Sequence, residues 1–159
     1  MEKKPNILLM RIDNRLLHGQ VGGTWVNALG ANLIIVANDD VASDELQQEV
    51  MKMTAANFGN GIRFFSVQKT IDVIWKAAPA QKIFIIVKTP EDARRLAEGN
   101  VPVGKVNIGN MHAAEGKRKI TKYIYMDDRD VEDLKKIQET GAEVFIQELP
   151  SKPKTPYRG

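Results

Sequence analysis

Short apolar runs alternate with longer amphipathic stretches along this chain. Ile7 to Met10 is uniformly apolar and reads as a first strand. Gln20 to Leu29 has helical character, with Gly30 as its stop. Leu33 to Ala37 is a continuous apolar run, the pattern of a strand buried on both faces. Asp44 to Asn57 reads as a helix with Leu46, Val50, Met53 and Thr54 on one stripe. Ile62 to Phe65 is a third strand. Val67 to Ala78 is a third helix carrying Ile71, Ile74 and Trp75, and Lys82 to Val87 is a strongly apolar fourth strand. Thr89 and Pro90 open the next helix as N-cap and first-turn proline. Glu91 and Asp92 suit its N-terminus, and Gly99 ends it. Val106 to Ile108 is a short fifth strand. Ile120 to Met126 is a sixth, whose alternation fits an edge or half-exposed strand. A charged amphipathic helix over Asp128 to Thr140, stopped by Gly141, and a last strand over Glu143 to Gln147 complete the series.

Strand and helix alternating this regularly predict an α/β fold: a single domain with an open twisted, mostly parallel sheet and helices on both faces. The length of 159 residues suits one domain. Residues 1–150 form it, and 151–159 are a tail. From Pro150 onward the chain holds three prolines and two lysines and is expected to be extended or loosely held. Ligands in such sheets bind beyond the carboxyl ends of the strands.

Charge and composition narrow the function classes. The net charge is +3, and the small basic clusters Lys3-Lys4, Lys117-Arg118-Lys119 and Lys135-Lys136 are scattered. None is long or interleaved with aromatics as nucleic-acid binding requires, so no nucleic-acid partner is expected. The absence of cysteine rules out disulfides and thiolate metal sites and fits a reducing cytoplasm. Ile7 to Met10 is far too short to span a membrane. If the protein works at a membrane, something else holds it there.

The densest chemistry follows the first strand: Arg11-Ile12-Asp13-Asn14-Arg15-Leu16-Leu17-His18-Gly19-Gln20. This segment leads into a helix N-terminus, where free backbone N–H groups and the helix dipole attract anions. Gly19, and Gly22-Gly23 in the first helical turns, let the backbone approach a phosphate. His18 is one of two histidines in the chain. A neutral imidazole here can attack phosphorus and hold a phosphoryl group on nitrogen. Phosphoryl transfer asks chiefly for positioning and for cations around the equatorial oxygens. Arg15, three residues upstream, suits that with its planar fork. Arg11 is a second candidate, and Asp13 is placed to orient Arg15 or the imidazole. On composition alone an alternative stands beside this: Arg11, Asp13 and Arg15 as a solvated salt-bridge set, with His18 as a helix cap.

The run Arg11 to Val21, followed by Trp25, resembles the signature of the IIB subunits of the mannose family of the sugar phosphotransferase system. Segments starting at Gly30, Asn38, Gln47, Gly61, Lys69, Lys76 and Asn107 resemble it in order, so the likeness covers about residues 5 to 150. The details are closest to IIB proteins specific for N-acetylgalactosamine or galactosamine. The resemblance implies a phosphohistidine–sugar phosphotransferase. It implies that the protein accepts a phosphoryl group from IIA on Nδ1 of His18. The group then passes to a sugar entering through the membrane subunits IIC and IID. Arg15 is then the main phosphate clamp, with Arg11 and Asp13 supporting it. Gly19, Gln20, Asn110 and His112 are expected to bind phosphate or partner. No metal or other cofactor is implied, and the place of work is the cytoplasm, peripheral to the inner membrane face through IIC and IID. A homo-oligomer is compatible with the chain. Where the family often has a second acid after Asp13, this chain has Asn14, one negative charge fewer.

Other features carry weaker expectations. Asn38-Asp39-Asp40 resembles a Mg²⁺-binding acidic pocket, but Asp39 and Asp40 more simply cap the following helix. Gly19-Gln-Val-Gly-Gly departs from the dinucleotide fingerprint. The histidines lack metal-ligand spacing. Trp75 is expected in or near the core, and Trp25 near an exposed docking face. Leu16 and Leu17 either anchor the loop or meet a partner. The rival reading from another class is a non-catalytic regulatory domain binding a phosphorylated ligand at the same loop.

Overall fold

The computed structural model describes residues 4–159, and among these described residues the chain forms nine strands and six α-helices. Lys3, half of the first basic pair, lies outside the described residues. The strands are β1 (Asn6–Asp13), β2 (Leu33–Ala37), β3 (Gly61–Phe65), β4 (Lys82–Val87), β5 (Lys105–Asn110), β6 (Arg118–Thr121), β7 (Ile124–Met126), β8 (Glu143–Ile146) and β9 (Thr155–Pro156). The helices are α1 (Gly19–Leu29), α2 (Asp39–Ala42), α3 (Glu45–Asn57), α4 (Val67–Val73), α5 (Pro90–Glu98) and α6 (Asp128–Glu139). The main sheet has the order β3-β2-β4-β1-β5-β8-β9, parallel except for β9.

β2 and β4 lie inside the sheet and are apolar on both faces, as their unbroken apolar runs require. One face packs against α4, α5 and α6 through Val67, Leu96, Leu134 and Ile137. The other packs against α1 and α3 through Trp25, Val26, Met51 and Ala55. Side chains of β1 alternate between these layers: Met10 and Ile12 enter the first, and Leu9 enters the second. The connection leaving β1 goes to α1 on one face, and those leaving its neighbours β4 and β5 go to α5 and α6 on the other. A crevice therefore opens at the carboxyl end of β1.

Several elements depart from the sequence-based expectation. β1 does not end at Met10 but continues through Asp13, because Arg11 and Asp13 neutralise each other inside the fold and the ladder to β4 and β5 runs on past them. The stretch Ile120 to Met126 is not one strand. It breaks at Lys122-Tyr123 into the β6–β7 hairpin, which is fastened by backbone bonds between Met111 and both Tyr123 and Tyr125. The third helix ends at Val73 and tightens into a 3₁₀ turn over Ile74–Lys76. On α3 the stripe of Leu46, Val50 and Met53 faces solvent, and Met51 and Ala55 face the sheet. The small Ala55 lets the helix lie close, and periodicity alone does not choose between two stripes. The tail is extended but not loose: Thr155–Pro156 pair with β8, and Tyr157 is buried.

The expected helix ends hold where a cap side chain is present. Thr89 Oγ1 accepts from Asp92 N at 3.1 Å, with Pro90 in the first turn. Asp39 and Asp40 do not cap α2. Asn38 does, accepting from Val41 N, while the Asp39 carboxylate accepts from Val67 N and pairs with Arg95. Asp127 caps α6 in a reciprocal box with Asp130. The Asp130 N–H bond chiefly holds the Asp127 carboxyl below its ordinary pKa. A depressed folded-state pKa contributes stability that is present above the unfolded value and lost as pH falls through the folded one. Asp127→Ala should therefore destabilise the protein by about 1 kcal/mol at neutral pH. In urea melts this difference should shrink below about pH 4.

Candidate functional site at the carboxyl end of the first strand

Two charged residues on β1, Arg11 and Asp13, point into the crevice and are nevertheless buried, at 4% and 1% exposure. The Arg11 guanidinium lies 3.3 Å from the Asp13 carboxylate, donates to Asn107 Oδ1 and to Gln147 O (3.1 Å), and stacks 5.2 Å above the Trp25 ring. Burial pushes the Arg11 pKa down and Asp13 pulls it back up, and the group stays cationic. Gly109 leaves room for it: a Cβ there would collide with the guanidinium. The other Asp13 oxygen accepts from Arg15 N at 2.9 Å, and the Asp13 carbonyl accepts from Leu16 N at 2.9 Å. A tight turn from Asp13 to Leu16 results.

That turn carries backbone strain. Leu16 sits at φ 57°, in the left-handed region that bulky residues avoid, at a cost of about 1–3 kcal/mol. Burial of Leu16 and Leu17, at 5% and 3% exposure, holds it there. Both leucines thus anchor the loop and do not meet a partner. His18 follows as the residue capping α1, with extended backbone and no side-chain bond to the helix. Its imidazole Nδ1 is 3.0 Å from the Leu16 carbonyl. A carbonyl only accepts, so Nδ1 carries the proton in this conformation and the Nε2 lone pair is the free one.

Arg11, Asp13, Arg15 and His18 line one small depression together with Val21, Gly109, Asn110, Tyr123 and Glu148. Arg15 is exposed, and among the described residues its guanidinium has no hydrogen-bond partner. It is the uncommitted cation of the site, whereas Arg11 is engaged inside the protein. Asp13 orients neither the Arg15 guanidinium nor the imidazole; it holds the Arg15 backbone and the Arg11 head. Gly19 and Gln20 form the first turn of α1 and are exposed, with Gly19 at φ 45° and open space around it. Asn110 reaches the depression. His112 does not: it is exposed in a neighbouring hollow with Asn14, Lys88 and Lys117.

Other expectations are corrected here. Gly22 and Gly23 do not make room for phosphate, because their missing side chains are replaced by Leu17 and the Phe58 ring. Trp25 is not exposed. It is buried beneath Arg11, and its indole N–H donates to Glu148 O at 3.2 Å. Asn38 and Asp39 are engaged with Asp92, Val41, Val67 and Arg95 and form no acidic pocket. Sequence reasoning missed Asn107, Gly109, Tyr123 and Glu148. Asn107 did leave a signal, a polar residue inside an otherwise apolar strand; Tyr123 and Glu148 come from distant segments and left none.

The family model for the PTS system sorbose subfamily IIB component matches residues 7–158. This chain belongs to that family. The N-acetylgalactosamine-specific phosphotransferase enzyme IIB component 1 of Escherichia coli K12 is 56% identical over 92% of each chain. The crystal structure of the E. coli N-acetylgalactosamine-specific IIB component 1 superposes with a TM-score of 0.94 at 53% identity, covering 96% of this chain and all of that one. The mannose-specific EIIAB component of E. coli K12 is 32% identical over 92% of this chain and 45% of its own greater length. As a IIB component of the phosphotransferase system this protein is a phosphotransferase, and its parallel sheet with helices on both faces is the family's fold.

Within this IIB fold the buried Arg11–Asp13 pair shapes the loop, and Arg15 and His18 face outward. Replacing Arg11 with methionine leaves the Asp13 carboxylate buried and unpaired. Urea denaturation of Arg11→Met should show a loss of about 3–5 kcal/mol. The exposed Arg15→Met should stay within roughly 0.5 kcal/mol of the parent.

Proposed function

We propose that this IIB component is the phosphoryl carrier of a phosphoenolpyruvate-dependent sugar uptake system, with His18 as the residue that carries the group. A ring nitrogen of His18 attacks the phosphorus of a phosphohistidine on IIA. The P–N bond to IIA breaks with its electron pair going to the donor ring, which gains a proton while the His18 ring loses one. In the second step a sugar hydroxyl attacks the same phosphorus. The P–N bond to His18 breaks, its electrons return to the imidazole, and the ring takes up a proton as the hydroxyl gives one up. The family resemblance puts the phosphoryl group on Nδ1. Since Nδ1 faces the Leu16 carbonyl at 3.0 Å, that step includes release of this bond by a turn of the ring about its Cβ–Cγ bond and a shift of the proton from Nδ1 to Nε2, which frees the Nδ1 lone pair for attack.

One observation carries this reading: a histidine whose ring is held by a single hydrogen bond to a carbonyl lines a depression beside an uncommitted arginine and the N-terminus of α1. Arg15 then balances charge on the transferring oxygens, and the first N–H groups of α1 add to it. The depression measures about 80 Å³, far below the ~300–1,000 Å³ of sites that enclose a small molecule. This supports a sugar presented by another protein, here IIC and IID. The N-acetylgalactosamine-specific relatives support N-acetylgalactosamine or galactosamine as that sugar. The joint A and B designation of the mannose-specific relative supports IIA as donor. Among the described residues no helix is long and apolar enough to cross a membrane. The family resemblance supports a place on the cytoplasmic face, held through IIC and IID.

The test is reconstitution with IIA and with membranes containing IIC and IID. His18→Ala and His18→Gln should take up no label and support no sugar phosphorylation. Label on the parent should be lost in acid and kept in base. Arg15→Met should slow transfer by roughly a hundredfold while remaining folded. Sugar phosphorylation by His18→Ala, or a base-labile bond, would exclude His18 as carrier.

A further inference from the structure

On one side of His18 the surface is apolar without a structural reason. Leu46, Val50 and Met53 stand at 78%, 58% and 70% exposure on a single stripe of α3. Such a contiguous stripe is the unusual feature, since isolated exposed apolar residues are common. Leu46, Gln47 and Val50 line a shallow hollow whose other wall is Arg15 and His18. The stripe itself carries no charge, and the Glu49–Lys52 pair lies beside it. This is the layout of an interface: an apolar centre with a polar rim. A methionine on the stripe adds a side chain that adapts to different surfaces.

We infer that the α3 stripe is the docking surface for the phosphohistidine-bearing donor protein, and that it meets an apolar patch beside the donor's active histidine. The inference rests on the carrier reading above. Phosphorus moves between two side chains only when both are within about 3–3.5 Å of their reacting positions. A protein that reaches His18 must therefore cover the hollow its imidazole shares with α3. Two partners reach it in turn, and the flanks of His18 differ in a way that sorts them. The opposite rim is the β6–β7 hairpin, whose Tyr123 lines the His18 depression. Residues 117–122 there hold four basic side chains; Lys117 and Arg118 pair with Asp130 and Asp128 of α6, and Lys119 and Lys122 have no acidic partner among the described residues. A cationic flank suits the anionic inner face of a membrane, where the acceptor sits. The uncharged stripe suits a soluble donor. A second copy of this chain seated on the stripe would cover His18 and block both steps.

The experiment measures the two half-reactions separately on the full chain. The variant Leu46→Gln/Val50→Gln keeps helix-forming residues on an exposed face, so its fold is not at risk. Its labelling by limiting phosphorylated IIA should slow at least about tenfold, or 1.4 kcal/mol. Discharge of the already phosphorylated variant to sugar, through membranes containing IIC and IID, should change less than roughly twofold, as expected for contacts made only with the donor. Met53→Leu, which keeps the stripe apolar, should label at the parent rate. Equal labelling of the double variant and the parent overturns the docking assignment and leaves the carrier reading intact. Slower discharge with normal labelling hands the stripe to the membrane subunits instead, and a parent dimer that the substitutions dissociate hands it to a second copy. A parent that takes up no label overturns the carrier reading and the docking assignment together.

Discussion

The buried ion pair between Arg11 and Asp13 is the constraint on which the rest of the site depends. Two charges inside a fold are tolerated only when each is matched and hydrogen-bonded. Here Asp13, Asn107 and Gln147 O surround the guanidinium, and the Trp25 ring covers it. The same carboxylate turns the chain by holding Arg15 N, and the Asp13 carbonyl completes the turn on Leu16 N. Backbone strain at Leu16 is then sustained by two buried leucines. The strained residue presents its carbonyl to Nδ1 of His18, which orients the ring at rest. A sequence of neutralisation, turn and anchoring thus ends in one oriented imidazole at a helix N-terminus.

This arrangement divides labour between the two arginines. Arg11 is structural, because its guanidinium donates to Asn107 and Gln147 O and pairs with Asp13 inside the fold. Arg15 is anchored by its backbone and uncommitted at its head, so on the proposed carrier reading it is free to follow a phosphoryl group that arrives and leaves. On that reading the protein must bind the group firmly enough to accept it and loosely enough to pass it on. The small open depression suits the same reading, because its remaining walls are left to whichever partner is docked.

Much of the fold was legible in the chain because strand and helix periods differ and the apolar runs are clean. Gly30, Thr89 with Pro90, and Gly141 marked their helix ends through local chemistry. What escaped did so for physical reasons. A strand read as an apolar run stops at the first charge, so Arg11 and Asp13 fell into a loop although their mutual neutralisation keeps them in the ladder. Periodicity located the stripe on α3 but not its direction, which the small Ala55 decides by allowing close approach to the sheet. Tyr157, buried beyond a proline- and lysine-rich segment, had no periodic neighbours to announce it. Of the site, the grouping of Arg11, Asp13, Arg15 and His18 was legible in one short segment. Tyr123 and Glu148 were not, because they join it only through β7 and the segment after β8.

The central claim is that one nitrogen of His18 holds the phosphoryl group. It is tested most directly by phosphorylating protein whose histidines carry ¹⁵N and measuring nitrogen–phosphorus coupling by NMR. With only two histidines in the chain, the assignment is unambiguous. The resting spectrum should show the proton of neutral His18 on Nδ1, and the phosphorylated one a phosphorus coupled to a His18 ring nitrogen. Coupling to His112, or phosphate incorporated with no coupling to any histidine nitrogen, would contradict the account.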